Sequence, residues 1–94
     1  MAIVNVVRFK VRPENADEMV TRRDALVEAA RAASNGLLHA VLSKVDEENW
    51  IDIWHWDSEE SLATAQAAVR PTAEAAFALV SDIESTRGQL VSSK

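Results

Sequence analysis

Apolar positions along this chain pass from a β-branched run to a helical stripe and then to a two-residue period, and each change marks a new element. Ile3 to Val11 is rich in valine and predicts a buried strand, which Pro13 stops because proline has no N–H to give to a ladder. Asn15 stands where an N-cap would, with Glu18 three residues on as its capping-box partner. Met19, Val20, Leu26, Val27, Ala30 and Ala33 follow at helical spacing as one apolar stripe. Asn35-Gly36 ends that helix with residues that accept a left-handed conformation.

Leu37 to Val45 predicts a second strand, Asp46 to Asn49 a polar connector short enough for a hairpin, and Trp50 to Trp56 a third strand. Ser58 caps a second helix, with Glu59 and Glu60 in the first turn where the helix dipole favours negative charge. That helix is expected to run to Arg70, break at Pro71 and restart as a shorter segment reaching Val80. The Thr/Val/Ser-rich tail from Ile83 to Ser92 predicts a fourth strand. The order β-α-β-β-α-β is the split βαβ, or ferredoxin-like, arrangement. It predicts a single α+β domain over 1–94, with a four-stranded antiparallel sheet and both helices on one face. The other face is bare unless covered, and a second copy of the same sheet is the simplest cover.

Composition narrows the function. A chain of 94 residues holds one small core, so self-association is a reasonable expectation. The net charge of −5 and the scattered basic residues argue against nucleic acid and anionic membranes, since the pair Arg22-Arg23 is too short for a patch. There is no cysteine, which excludes disulfides, thiolate metal sites and cysteine nucleophiles. The apolar run after Met1 is too short for a signal h-region or a membrane span, so a cytoplasmic location is expected.

All three tryptophans fall within Trp50 to Trp56. In a strand, Trp50, Asp52, Trp54 and Trp56 share one face, with Ile51, Ile53 and His55 on the other. Trp54 and Trp56 have two readings: filling of a core or dimer interface, or the wall of a cavity between two sheets that holds a flat apolar ligand. Trp50, beside the hairpin, reads as structural. A desolvated Asp52 between indoles suits a general base or a polar anchor; the plainer reading is a salt bridge, with Arg8 on a neighbouring strand as the obvious partner. His39 and His55 lie on different strands, with no second histidine at ligand spacing, so the metal signal is very weak and no metal is expected. His39 reaches a pocket only if the Leu37/His39/Val41 face points into it. Asn5, polar inside an apolar strand, either bonds the backbone locally or faces a polar-lined cavity. With only Gly36 and Gly88 there is no phosphate-cradling loop.

Two stretches, F-K-V-R-P-E-N-A-D-E-M (Phe9 to Met19) and I-W-H-W-D-S-E-E-S-L (Ile53 to Leu62), carry a resemblance to the antibiotic biosynthesis monooxygenase (ABM) family. The resemblance implies a homodimer whose sheets close into an α/β barrel, with one pocket per subunit between sheet and helices. Many such proteins oxygenate polycyclic phenols or quinols with O₂ and no metal or flavin cofactor. Others degrade heme, and some are isomerases. Trp56 falls on the pocket tryptophan of the quinone-forming and heme-degrading branches, and Asp52 where the former has an asparagine. Leu62 falls where that branch has a tyrosine, and Val7 where the heme branch has an asparagine. No histidine follows Trp56 in Leu62 to Arg70 to ligate heme iron.

The leading expectation is therefore a cofactor-independent monooxygenase (an oxidoreductase) of an aromatic phenol. Trp56 and Asp52 would be its catalytic residues, and Trp54, Asn5 and His39 its substrate contacts. The alternatives are a non-catalytic dimeric binding domain of the same fold or an isomerase using Asp52 as acid and base.

Overall fold

A computed structural model describes residues 2–93. Strand β1 (Ile3–Val11) leads through a 3₁₀ turn at Pro13–Asn15 into helix α1 (Ala16–Ala33). Strands β2 (Leu37–Lys44) and β3 (Asn49–Trp56) follow as a hairpin, then helices α2 (Glu59–Ala68) and α3 (Arg70–Phe77), and finally strand β4 (Val80–Gln89). The four strands form one antiparallel sheet in the order β2-β3-β1-β4, the expected ferredoxin-like topology. Among the described residues, no helix is long and apolar enough to cross a membrane.

The register decides which side chains meet the helices. Ile3, Asn5, Val7 and Phe9 of β1 stand opposite Trp56, Trp54, Asp52 and Trp50 of β3, so these eight share the face that the helices cover. Ile3, Trp54 and Trp56 pack with Leu26, Val27 and Ala30 of α1 and with Leu62 and Ala65 of α2 into the main core. A second cluster, Val7, Phe9, Val11 and Met19, fills the other end and is flanked by Trp50. Each large side chain removed from water there contributes roughly 1.5–3 kcal/mol. The opposite sheet face carries Val4, Val6, Ile51, Ile53 and the exposed Val41, with no helix over it.

Several local expectations are corrected. Asn15 does precede α1, but its backbone is already helical (φ −102°, ψ 0°) because it closes the 3₁₀ turn, and its side chain makes no cap bond. Gly36 does not adopt a positive φ. It is required instead by close approach: a Cβ there would overlap Ser61 Cβ and Oγ in the first turn of α2. Ser58 caps α2 as expected, accepting from Ser61 N at 3.2 Å. Strand β4 starts at Val80, three residues before the expected Ile83, and bends at a register shift where Asp82 sits at φ 52°. Aspartate tolerates that left-handed conformation, so the strand continues through it.

The hairpin between β2 and β3 is closed by one carboxylate. Asp46 accepts from the backbone N–H groups of Asn49 (2.9 Å) and Glu48 (3.0 Å), and from Asn49 Nδ2. Those bonds, the Asn49 N–H first, hold the Asp46 pKa below its ordinary value. A depressed carboxylate pKa stabilises the fold above the unfolded pKa, and that stabilisation is lost as pH falls through the folded one. Acid titration followed by amide exchange is therefore expected to loosen Asn49 and Glu48 only below the ordinary aspartate range. Asp46→Asn should abolish that step; an unchanged acid transition in the variant would rule the assignment out.

Candidate functional site

Alternation along β3 turns Asp52, Trp54 and Trp56 beneath the helices, where all three are buried. Trp54 and Trp56, two residues apart on one face, stand almost parallel, with ring centroids 6.1 Å apart and planes 9° from each other. They form one wall of a cavity of about 490 Å³ between the sheet and the helices. Asn5 and Val7 of β1 border the floor, and Leu26 and Ala30 of α1 and Leu62 and Ala65 of α2 border the sides. Gln66, Arg70, Glu74 and Phe77 stand at the exposed rim. The size suits a multi-ring organic molecule, and the few polar groups in an apolar lining suit orientation more than tight ionic binding.

The polar centre of this face is an ion pair. Arg23 of α1 reaches across to Asp52 with two bonds, Nη2 to Oδ1 at 2.9 Å and Nε to Oδ2 at 3.1 Å. Side-chain exposures of 12% and 7% make it a largely desolvated pair. The same guanidinium lies 5.6 Å from the Trp54 ring centroid and bonds Asp24 at the surface through Nη1. Burial by itself pulls the Arg23 pKa down, but the bonds and charge of Asp52, then those of Asp24, outweigh it and hold the pKa above its ordinary value. Asp52 and Arg23 thus form an ion pair held by two bonds. Each Asp52 oxygen keeps a further lone pair for an incoming hydroxyl.

Asn5 lines the cavity, and its Oδ1 accepts from Ser85 Oγ of β4 at 3.1 Å. The indole Nε1 of Trp56 is buried without an acceptor among the described residues, as is that of Trp50. Such an unmatched donor costs about 1–3 kcal/mol.

Trp54, Trp56, Asp52 and Asn5 therefore meet at one cavity; Trp50 stays outside it in the second cluster, as expected of a structural residue. Three expectations give way. The cavity lies between the sheet and its own helices, as the resemblance implied, and not between two sheets, because the tryptophan face is the helix-covered one. Asp52 pairs with Arg23 and not Arg8, which stands opposite Ile51 and so projects from the other face. His39 does not reach the cavity: the register shift between Leu37 and His39 leaves Leu37 on the buried face and turns His39 onto the bare one. There it meets His55 edge-on, 5.9 Å between ring centroids. Among the described residues no cluster of three or more acidic or imidazole groups is placed to hold a metal ion.

Arg23 escaped the sequence reading, although a signal was present. It falls four residues after Met19 and three before Leu26, on the buried stripe of α1, where an arginine needs a buried partner. The rim residues of α3 had no such signal, because their position depends on the angle at which that short helix crosses α1.

The model of the antibiotic biosynthesis monooxygenase family matches residues 2–69 of this chain. No curated protein matches it in sequence. Among solved structures, a variant of SnoaB, a cofactor-independent oxygenase from Streptomyces nogalater, superposes with a TM-score of 0.81 at 19% identity, covering 98% of this chain and 95% of that one. A dimeric ferredoxin-like protein from an uncultured marine organism gives 0.76 at 23% identity, covering 99% and 90%. Rv0793 from Mycobacterium tuberculosis gives 0.80 at 15% identity, covering 99% and 98%. At these identities the likeness establishes the fold, one shared with a cofactor-independent oxygenase.

Proposed function

Because the chain belongs to the antibiotic biosynthesis monooxygenase family, we propose that it is a homodimeric, cofactor-independent monooxygenase of an aromatic or polycyclic phenol or quinol. The observation that carries this reading is the cavity itself, with Trp54 and Trp56 as a parallel aromatic wall and Asp52 and Asn5 as polar groups beside it. The bare sheet face, apolar at Val4, Val6, Val41, Ile51 and Ile53, supports pairing with a second copy. The dimeric marine relative supports it further.

In this mechanism the ring of the substrate lies against Trp54 and Trp56, and its hydroxyl donates to Asp52. Arg23 fixes the carboxylate so that its free lone pairs stay aimed at one place. Asp52 takes the phenolic proton, Asn5 steadies the resulting oxyanion, and the electron-rich ring passes an electron to O₂. Recombination of the radical pair forms a carbon–oxygen bond as a peroxide. Cleavage of its O–O bond leaves one oxygen atom on the ring as a quinone carbonyl. The other departs as water, carrying the hydrogen lost from that same ring carbon together with the proton Asp52 had removed. Anthrone and O₂ thus give anthraquinone and water.

Turnover of an anthrone and dihydroxynaphthalene panel, followed by quinone absorbance with and without O₂, tests this. Oxygen-dependent quinone formation well above the protein-free rate is expected. Trp56→Phe should slow it by about tenfold, on the order of 1.4 kcal/mol of lost positioning, with the dimer intact by light scattering. Background oxidation with every substrate would sink the enzymatic reading.

One observation favours a second reading, a dimeric small-molecule-binding domain without catalysis. Leu62 and Val7, at positions where the resemblance implies a tyrosine and an asparagine, both line this cavity and make it apolar there. Saturable binding of the same panel without oxygen uptake would select it.

A further inference from the structure

Ser85, on β4, has no part in the reaction described above, yet it holds the one uncharged polar side chain on the cavity floor. It stands opposite Val7 in the ladder, diagonal to Asn5 and on the same face. Its hydroxyl donates to Asn5 Oδ1 at 3.1 Å. That bond draws the carbonyl end of the amide towards β4 and leaves Nδ2 on the opposite side of the amide carbon, where β3 and Trp54 lie. Nδ2 makes no hydrogen bond among the described residues and, unlike the two indole nitrogens, is not shut off from solvent. An amide free to turn would offer a ligand either a donor or an acceptor. With Oδ1 already taken, it offers a donor.

We propose that Ser85 is a positioning residue that locks the Asn5 amide with its N–H₂ facing the cavity, so that the site selects ligands presenting an oxyanion or carbonyl oxygen there. The inference rests on the cavity being the ligand site. It specifies the ionisation state in which a phenol is held: the phenolate, which accepts from Nδ2, is favoured over the neutral form. Charges of both signs surround Asn5. Asp52 on β3 is matched by Arg23 of α1. Arg87, opposite Asn5 on β4, leans towards Glu59 of α2 at 3.9 Å. Arg70 and Glu74 at the rim carry opposite signs.

The test uses 2-naphthol, whose two ionisation states differ in absorbance and which gives a binding readout without oxygen chemistry under nitrogen. Titrating the bound ligand with pH should show its pKa lowered by about one unit relative to free 2-naphthol. That corresponds to a roughly tenfold preference for naphtholate, as expected for one hydrogen bond to a charged group. Ser85→Ala, at an exposed β4 position where no folding defect is expected, should bring the bound pKa back towards the free value and reduce the preference to about twofold. Ser85→Thr keeps the hydroxyl and should restore the shift. Wild-type protein that binds 2-naphthol with an unshifted pKa, or a shift that survives in Ser85→Ala, overturns the role of Ser85 while leaving the cavity as a ligand site. Absence of any 2-naphthol binding by the wild type overturns the cavity reading and this inference with it.

Discussion

Replacing Arg23 with methionine is expected to destabilise the protein by about 3–5 kcal/mol, because it leaves the Asp52 carboxylate, 7% exposed, without the guanidinium that neutralises it. For a domain of this size that is a fall in melting temperature of roughly 15 °C or more. The loss reports the stranded charge and not the net worth of the pair, whose desolvation consumes most of its Coulombic gain. Removing both charges should therefore cost less than removing one: Arg23→Met with Asp52→Leu is expected to recover much of the stability lost by Arg23→Met. Urea denaturation of the two variants beside the wild type measures this. An Arg23→Met variant within about 1 kcal/mol of wild type would show that the pair is wetter than its geometry implies. The pH dependence has a definite sign. A raised arginine pKa contributes stability below the ordinary arginine value and loses it only as pH climbs through the raised one. The Arg23 contribution should therefore be flat across the physiological range.

Gly36→Ala should be the other large effect, at about 2–3 kcal/mol, by overpacking where nothing flexible is free to move aside. The added methyl would overlap Ser61 Cβ and Oγ and crowd Asp57 Oδ1, and Ser61 is fixed in the capped first turn of α2. Backbone bonding makes the crossing tighter still, since Asp57 N donates to Gly36 O at 2.8 Å. That bond ties the start of β2 to the exit of β3, one residue after Trp56. A shift there should move the aromatic wall as well as lower stability. The double variant Gly36→Ala with Ser61→Gly removes the obstructing carbon and is expected to regain most of the loss, less a few tenths of a kcal/mol for glycine in a helix turn. Thermal melts compare the three proteins. Equal melting of Gly36→Ala and wild type would mean that α2 sits farther from β2 than the structure places it.

Both sites show what local reasoning captures and where it stops. The strands β1 and β3 were legible to within a residue, because a β-branched run and a two-residue period each admit few other conformations. Ser58 was legible as a cap because a cap is a contact between residues three apart. Asn15 was not, because the 3₁₀ turn before it had already spent its backbone conformation. Gly36 was recognised as a boundary but for the wrong reason. A left-handed end is a local property, whereas the near-contact with Ser61 exists only once α2 is laid against β2. His39 was lost to a single extra residue at the Leu37/His39 register shift, since one residue in a strand exchanges the faces of everything beyond it.

By itself, then, the sequence determined the order of the elements, the sheet topology and the grouping of Trp54, Trp56 and Asp52 on one face, all of which follow from periods and punctuation within short stretches. Only the tertiary structure decided that this face looks towards the helices, that Arg23 and not Arg8 answers Asp52, and that Ser85 meets Asn5. Those facts depend on register and on helix placement. Both are set by how separately formed surfaces pack against one another, a property that no single stretch of chain contains.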